Sequence, residues 1–288
     1  MFDFRYHALS LAAVLIALAV GLLLGVAIGD ANLVSNAEKH LRDSLRGDLN
    51  NARRDSANLR AQLAARAEYE RAVYPQLVAG ALPGKRIGLI FLGQPSNAVS
   101  GLVRGALDPT GAQIVLVAVI RDPLNPAPVA AAAASTRYAA LATDPTLMGP
   151  FGTRVGVQLV TGGRLLSKVQ PALFSAYNGA IERLDGIVLV RAPGSVDPTA
   201  QQANDQFENG LATGLGATGV PVVGVETSTT NPSEIPWYAQ RSFSSVDDIE
   251  DQAGATALVE SLSGAHGAFG RKPTATAILP PSAGNHRP

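Results

Sequence analysis

Hydrophobic and polar positions divide this chain into three regimes. Residues 8–29 (ALSLAAVLIALAVGLLLGVAIG) are 22 positions with no charge and a single polar side chain, Ser10. As a helix this run rises about 33 Å, enough to cross a hydrocarbon core of roughly 30 Å, so residues 1–30 are predicted to be a membrane anchor. A cleaved signal peptide is the alternative, with Ala27 and Gly29 as the small residues of a cleavage site, but its apolar core would run only about 7–15 residues. Ala13, Ala17, Gly21, Gly25 and Gly29 fall on every fourth position, a stripe of small side chains along which a second helix can approach closely. Self-association of the anchor is expected.

In residues 31–82 apolar positions follow a seven-residue period among charges of both signs. With Leu45 at d, the d series is Leu45, Ala52, Leu59, Arg66 and Val73, and the a series is Leu49, Ser56, Leu63, Glu70 and Leu77, seven of ten apolar. One glycine, Gly47, and no proline precede Pro75 here. The pattern predicts a long coiled-coil stalk with its seam on Leu45, Leu49, Ala52, Leu59 and Leu63, and a homodimer as its product. Charge at Arg66 and Glu70 weakens the seam there, which equally suits a helix lying partly against its own domain.

Across residues 83–270 short apolar runs bounded by Gly and Pro alternate with stretches of helical period. Residues 86–92, 113–120, 186–190 and 220–225 read as buried strands, and residues 97–108, 127–142, part of 146–183 and 199–215 as helices. Ser245 is expected to cap a further helix reaching Leu262, with acids in its first turn. The alternation predicts a Rossmann-like, doubly wound α/β domain with a mostly parallel sheet. The Pro-rich residues 271–288 are expected to form a flexible tail.

Composition narrows the function. Lys plus Arg and Asp plus Glu both number 23, so no net field draws the chain to nucleic acid, and no such partner is expected. The absence of Cys excludes thiolate zinc sites, iron–sulfur clusters, thiol nucleophiles and disulfides. Around the anchor, Asp30 and Glu38 follow first and favour Arg5 inside with the C-terminal domain outside, whereas counting Lys39, Arg42 and Arg46 reverses the orientation.

Candidate chemistry is sparse. Gly214, Gly216 and Gly219 match G-x-G-x-x-G, but the match ends a helix and precedes a strand, the reverse of a dinucleotide site. Residues 80–85 are one residue short of a phosphate loop and read as a linker. There is no nucleophile elbow and no H-E-x-x-H helix, so neither a catalytic set nor a cofactor is expected. Ligands of doubly wound sheets bind beyond the carboxyl ends of the strands, which singles out Arg121, Asp122, Arg191 and Glu226 as a speculative cleft, although caps and surface pairs would use the same charges. Asp247, Asp248, Glu250 and Asp251 suit either a hard cation or the first turn of a helix. Copper-type donors are limited to Met1, Met148, His7, His40, His266 and His286, none adjacent in sequence, so no dedicated metal site is expected. Two copies of His40 could meet on a dimeric stalk.

The run Phe2-Asp3-Phe4-Arg5-Tyr6-His7-Ala8-Leu9-Ser10-Leu11, followed by the small-residue stripe and the charged stalk, resembles the actinobacterial MctB family of copper transport proteins, and the likeness continues through the strand after Lys85 to the Ala-Ile-Leu-Pro ending at Pro280. The resemblance implies a cell-envelope location and a role in copper homeostasis or efflux, described as an outer-membrane channel. It also implies a second role, a non-enzymatic scaffold that regulates cell-wall hydrolysis and cell separation through an envelope partner. Copper enters by resemblance alone and brings no ligand set. The residue pattern fits a channel poorly, because a β-barrel needs alternating strands of about ten residues and a span polar only at Ser10 makes a dry helical pore.

Overall fold

The computed structural model describes residues 4–29, 33–194 and 198–281 and divides into two compact units, residues 1–68 and 69–288. In the first unit, α1 (Phe4–Gly29) is one continuous helix, and Arg5–Ala27 is long and apolar enough to cross a membrane. Its Leu15, Leu18, Leu22 and Leu23 side chains face outward. Ser10 Oγ donates back to the His7 carbonyl, so the one polar side chain of the apolar run is satisfied inside its own helix, as lipid demands. Nothing lies within 4 Å of a Cβ placed at Gly21 or Gly25. The next helix, α2 (Leu33–Val78), is 46 residues long, and Leu45, Leu49, Leu59 and Leu63 are exposed along it. The long helix is as expected. A coiled coil is not displayed.

Past Glu68 the helix belongs to the second unit. Tyr74 and Val78, one turn apart, are buried, and Tyr74 Oη donates to the Ala106 carbonyl at 2.7 Å. Pro75 removes the helical bond to the Arg71 carbonyl, yet the helix runs on to Val78, held by those two neighbours.

The strands are β1 (Arg86–Gly93), β2 (Gln113–Ile120), β3 (Phe174–Gly179), β4 (Gly186–Ala192), β5 (Val222–Val225), β6 (Ser244–Val246) and β7 (Ala268–Phe269). They form one sheet in the order β3-β2-β1-β4-β5-β6-β7, parallel except where β3 runs antiparallel to β2. Helices α3 (Asn97–Leu107), α4 (Pro126–Ala132), α5 (Met148–Thr161), α6 (Arg164–Leu173), α7 (Pro198–Gly216), α8 (Ile235–Ala239) and α9 (Gln252–Leu262) cover both faces. Alternate residues of the central strands go to opposite layers. Leu89, Phe91, Val188 and Val190 pack with α3, α9 and the Tyr74–Val78 turn, and Ile90, Leu92, Ile187 and Leu189 with α5, α6, α7 and α8. Burial on both faces explains why these strands read as continuous apolar runs.

Three expectations change. The helix expected over 127–142 stops at Ala132, because Thr136 Oγ1 donates to the Ala133 carbonyl and accepts from the Tyr138 N–H, a local alternative to the helical ladder. The helix expected from Ser245 begins at Gln252, since Ser244–Val246 pairs between β5 and β7 and distant pairing overrides the capping pattern. The tail is tied down over its described part: the Thr276 N–H and Oγ1 both donate to the Ala268 carbonyl, and Ala277 bridges Phe269. Residues 282–288 lie outside the described residues.

The G-x-G-x-x-G string resolves as packing and a turn. Gly152 and Gly156 of α5 abut the backbone of α7 at Phe207 and Leu211, and Gly210 and Gly214 of α7 abut that of α5 at Gly149 and Thr153, so a Cβ at any of the four would strike main chain. Gly219 turns the chain toward β5 with φ +72°. Gly214→Val is expected to destabilise the domain by about 1–3 kcal/mol through overpacking. Gly101→Ala, in an open helical position, is expected to stabilise it by about 0.5–1 kcal/mol. Thermal melts of the two variants check both signs.

Candidate functional site

The strand order reverses between β1 and β4, where a fold of this kind opens its ligand crevice. Here the crevice is bridged by main chain. The Gln94 N–H donates to the Ala192 carbonyl at 3.0 Å, and Gly93, at φ +95°, lies so close to that carbonyl that a Cβ would collide with it. Asp122, just past β2, completes the closure: one carboxylate oxygen accepts from the Gly194 N–H at 2.6 Å and the other from Asn204 Nδ2 of α7. Asn204 Oδ1 in turn accepts from the Leu124 N–H at 2.9 Å. Each oxygen of Asp122 thus has a fixed donor, which suits a strut between loops.

Arg191, near the end of β4, is clasped by two carboxylates. Its Nε donates to Glu208 of α7 at 2.9 Å and its Nη1 to Glu234, before α8, at 2.6 Å, with all three side chains near one tenth exposed. Its N–H donates to Tyr238 Oη at 2.8 Å, and that hydroxyl donates to the Leu189 carbonyl. The guanidinium also lies 5.2 Å from the centre of the Trp237 ring, which Arg241 approaches to 3.8 Å. Burial raises the Glu208 carboxyl above its ordinary range against the pull of Arg191, and Asp205 and Asp122 push it further.

Glu226, following β5, is almost fully buried. It accepts from Ser233 Oγ at 2.7 Å, from the Glu234 N–H at 2.6 Å and from Lys272 Nζ at 2.6 Å. Lys272 also donates to the Thr230 carbonyl. One step along the sheet, Asp247 accepts the Arg271 and Lys272 N–H groups, both at 2.9 Å, so the segment after β7 is pinned to the strand ends. Asp248 beside it is buried with neither oxygen hydrogen-bonded, and Arg271 Nε stands 3.5 Å away. Burial first, then the charge of Asp247, pushes its carboxyl up to about 6.

Of the four residues proposed from sequence, the structure links Arg191 to Glu226 through Glu234 and sets Asp122 beside Glu208 on α7. Arg121 is exposed and joins none of these bonds, lining with Asp122, Gln94 and Ser175 a cleft of about 280 Å³. The acids 247–251 are committed to partners within the protein: Asp247 holds backbone, Glu250 accepts from Ser228, and Asp248 and Asp251 share Arg271. Among the described residues no group of three or more His, Asp or Glu side chains is arranged to hold a metal ion. Asn204, Glu208, Glu234, Tyr238 and Lys272 went unmarked in the sequence. A signal existed for two of them, because Asn204 and Glu208 continue the buried stripe of Leu211 and Leu215 at spacings of four and three.

A family model described as copper transport outer membrane protein, MctB, matches residues 1–280. No curated protein matches the chain.

One substitution tests the clasp and another tests the buried Asp248. Arg191→Met leaves Glu208 and Glu234 without their shared cation, and removal of one partner from a buried ion pair is expected to cost about 3–5 kcal/mol, read as a lower melting temperature. Asp248 behaves oppositely. Its folded pKa of about 6 exceeds the ordinary 3.8, so its ionisation costs stability increasingly from about pH 4 to 6 and fully above that range. Asp248→Asn is expected to stabilise the domain by up to about 3 kcal/mol at pH 7 and to give no gain at pH 3.5, checked by melts across that range.

Proposed function

Because the chain belongs to the MctB family of copper transport outer membrane proteins, we propose that it serves copper homeostasis as a self-associating, single-pass envelope anchor for its α/β domain, and that copper crosses the membrane by some route other than a pore through α1. Membership makes it a copper transport-related membrane protein, of a family not known for enzymes. One observation carries the finer reading: the apolar material is committed elsewhere. The sheet has helices on both faces, so its strands offer no outward apolar band of the kind a transmembrane barrel needs. The apolar run of α1, residues 8–29, has Ser10 as its one polar side chain, and its Oγ donates to the His7 carbonyl of the same helix, which would leave a pore between copies of α1 dewetted.

Self-association is supported by two exposed surfaces. Leu45, Leu49, Leu59 and Leu63 are each more than half exposed on α2, and a row of leucines at heptad spacing loses that exposure when two helices pair. On α1 the stripe of Ala13, Ala17, Gly21 and Gly25 offers close approach in the membrane. The same exposed seam suits a second reading, in which a pair of chains, with the α/β domains outside, holds an envelope partner during cell-wall hydrolysis.

Leu49→Glu with Leu59→Glu is expected to abolish crosslinked dimers of the full chain in native membranes, and Gly21→Leu with Gly25→Leu to weaken them. Unchanged crosslinking in both would remove the self-association. Vesicles containing the purified full chain alone are expected to pass no more copper than empty vesicles, and rapid protein-dependent copper flux would overturn the non-pore reading.

A further inference from the structure

A cavity lies away from the strand ends, between the turn after α4 and the junction of α5 with α6. It measures about 630 Å³, within the range of small-molecule sites. Its lining brings together three arginines, Arg137, Arg154 and Arg164, and includes no Asp or Glu. Arg137 is held in place, donating from Nη2 to Tyr138 Oη at 2.7 Å while its Cζ lies 4.9 Å from the centre of that ring. Lys168, one turn along α6 from Arg164, donates to Ser135, the residue before cavity-lining Thr136. At the start of α6, Gln158 Oε1 takes the Leu166 N–H at 2.8 Å, while the first-turn amides of Arg164 and Leu165 have no acceptor within the helix.

Three like charges around one hollow repel each other, and an anion relieves that repulsion. We propose that this cavity binds an anion carrying phosphate oxygens. Guanidinium forks match phosphate geometry with paired N–H···O bonds, and the open start of α6 adds donors of the same sign. A copper cation is repelled from it. The proposal therefore lies outside the copper reading and is independent of it.

The test uses the full chain in nanodiscs of neutral lipid. Inorganic pyrophosphate, followed by calorimetry, is expected to bind saturably and more weakly as salt rises. Co-flotation with phosphatidylglycerol vesicles tests the same chemistry on a lipid headgroup, so saturable binding of pyrophosphate without flotation assigns a soluble phosphate, and flotation assigns a headgroup. Arg154→Gln with Arg164→Gln, both at exposed positions, is expected to weaken whichever binding occurs by about tenfold or more with an unchanged melting temperature. Arg104→Gln, at an exposed position of α3, should leave it intact. Absence of both bindings, or equal loss with Arg104→Gln, would overturn the proposal.

Discussion

A guanidinium held between two buried carboxylates governs the end of the sheet where this fold ordinarily takes its ligand. Arg191 cannot leave Glu208 and Glu234 without stranding two charges in a low-dielectric pocket, and Glu234 passes the constraint to Glu226 through its N–H. Glu226 then fixes Lys272, so β4, β5, α7, α8 and the segment after β7 are bound into one polar network. Asp122 and the Gln94–Ala192 bond do the same across β1, β2 and β4. The sheet is mostly parallel and reverses its strand order between β1 and β4, and the crevice at that point is taken up by the protein's own donors and acceptors.

That constraint moves functional weight to the surfaces. Outside the closed strand ends stand the leucines of α2, the small-residue stripe of α1 and the arginine-lined hollow beside α6. The first two suit contact with protein and lipid, and the third suits an anion. None has the softness or charge that a copper ion seeks. A family defined by copper transport is thereby reconciled with a chain poor in copper ligands if the protein positions or regulates other components instead of coordinating the metal.

The parts legible in the sequence were those set by local pattern. Residues 86–92 and 113–120 are apolar over a strand's length because both sheet faces are covered, and the anchor and α2 follow from their own periods. The elements that escaped depend on distant partners: β3 is an edge strand with mostly exposed side chains, and Ser244–Val246 becomes a strand only between β5 and β7. At the site, Arg191 and Glu226 could be located because strand ends place them. Glu234 and Lys272 could not, since their roles arise from loops that fold back over the sheet. The glycines at 214–219 gave a misleading motif, for Gly214 serves contact with α5 and Gly219 turns the chain toward β5.

The measurement that bears most directly on this account is intracellular copper in a strain lacking the gene, grown under mild copper load, beside the same strain carrying the wild-type chain or a His7→Ala, His40→Ala, His266→Ala, His286→Ala quadruple variant. The account predicts that copper rises in the deletion strain and that wild type and the quadruple variant restore it equally, because the chain acts through assembly and not as a copper ligand. Copper unchanged by the deletion, or restored by wild type alone, would contradict it.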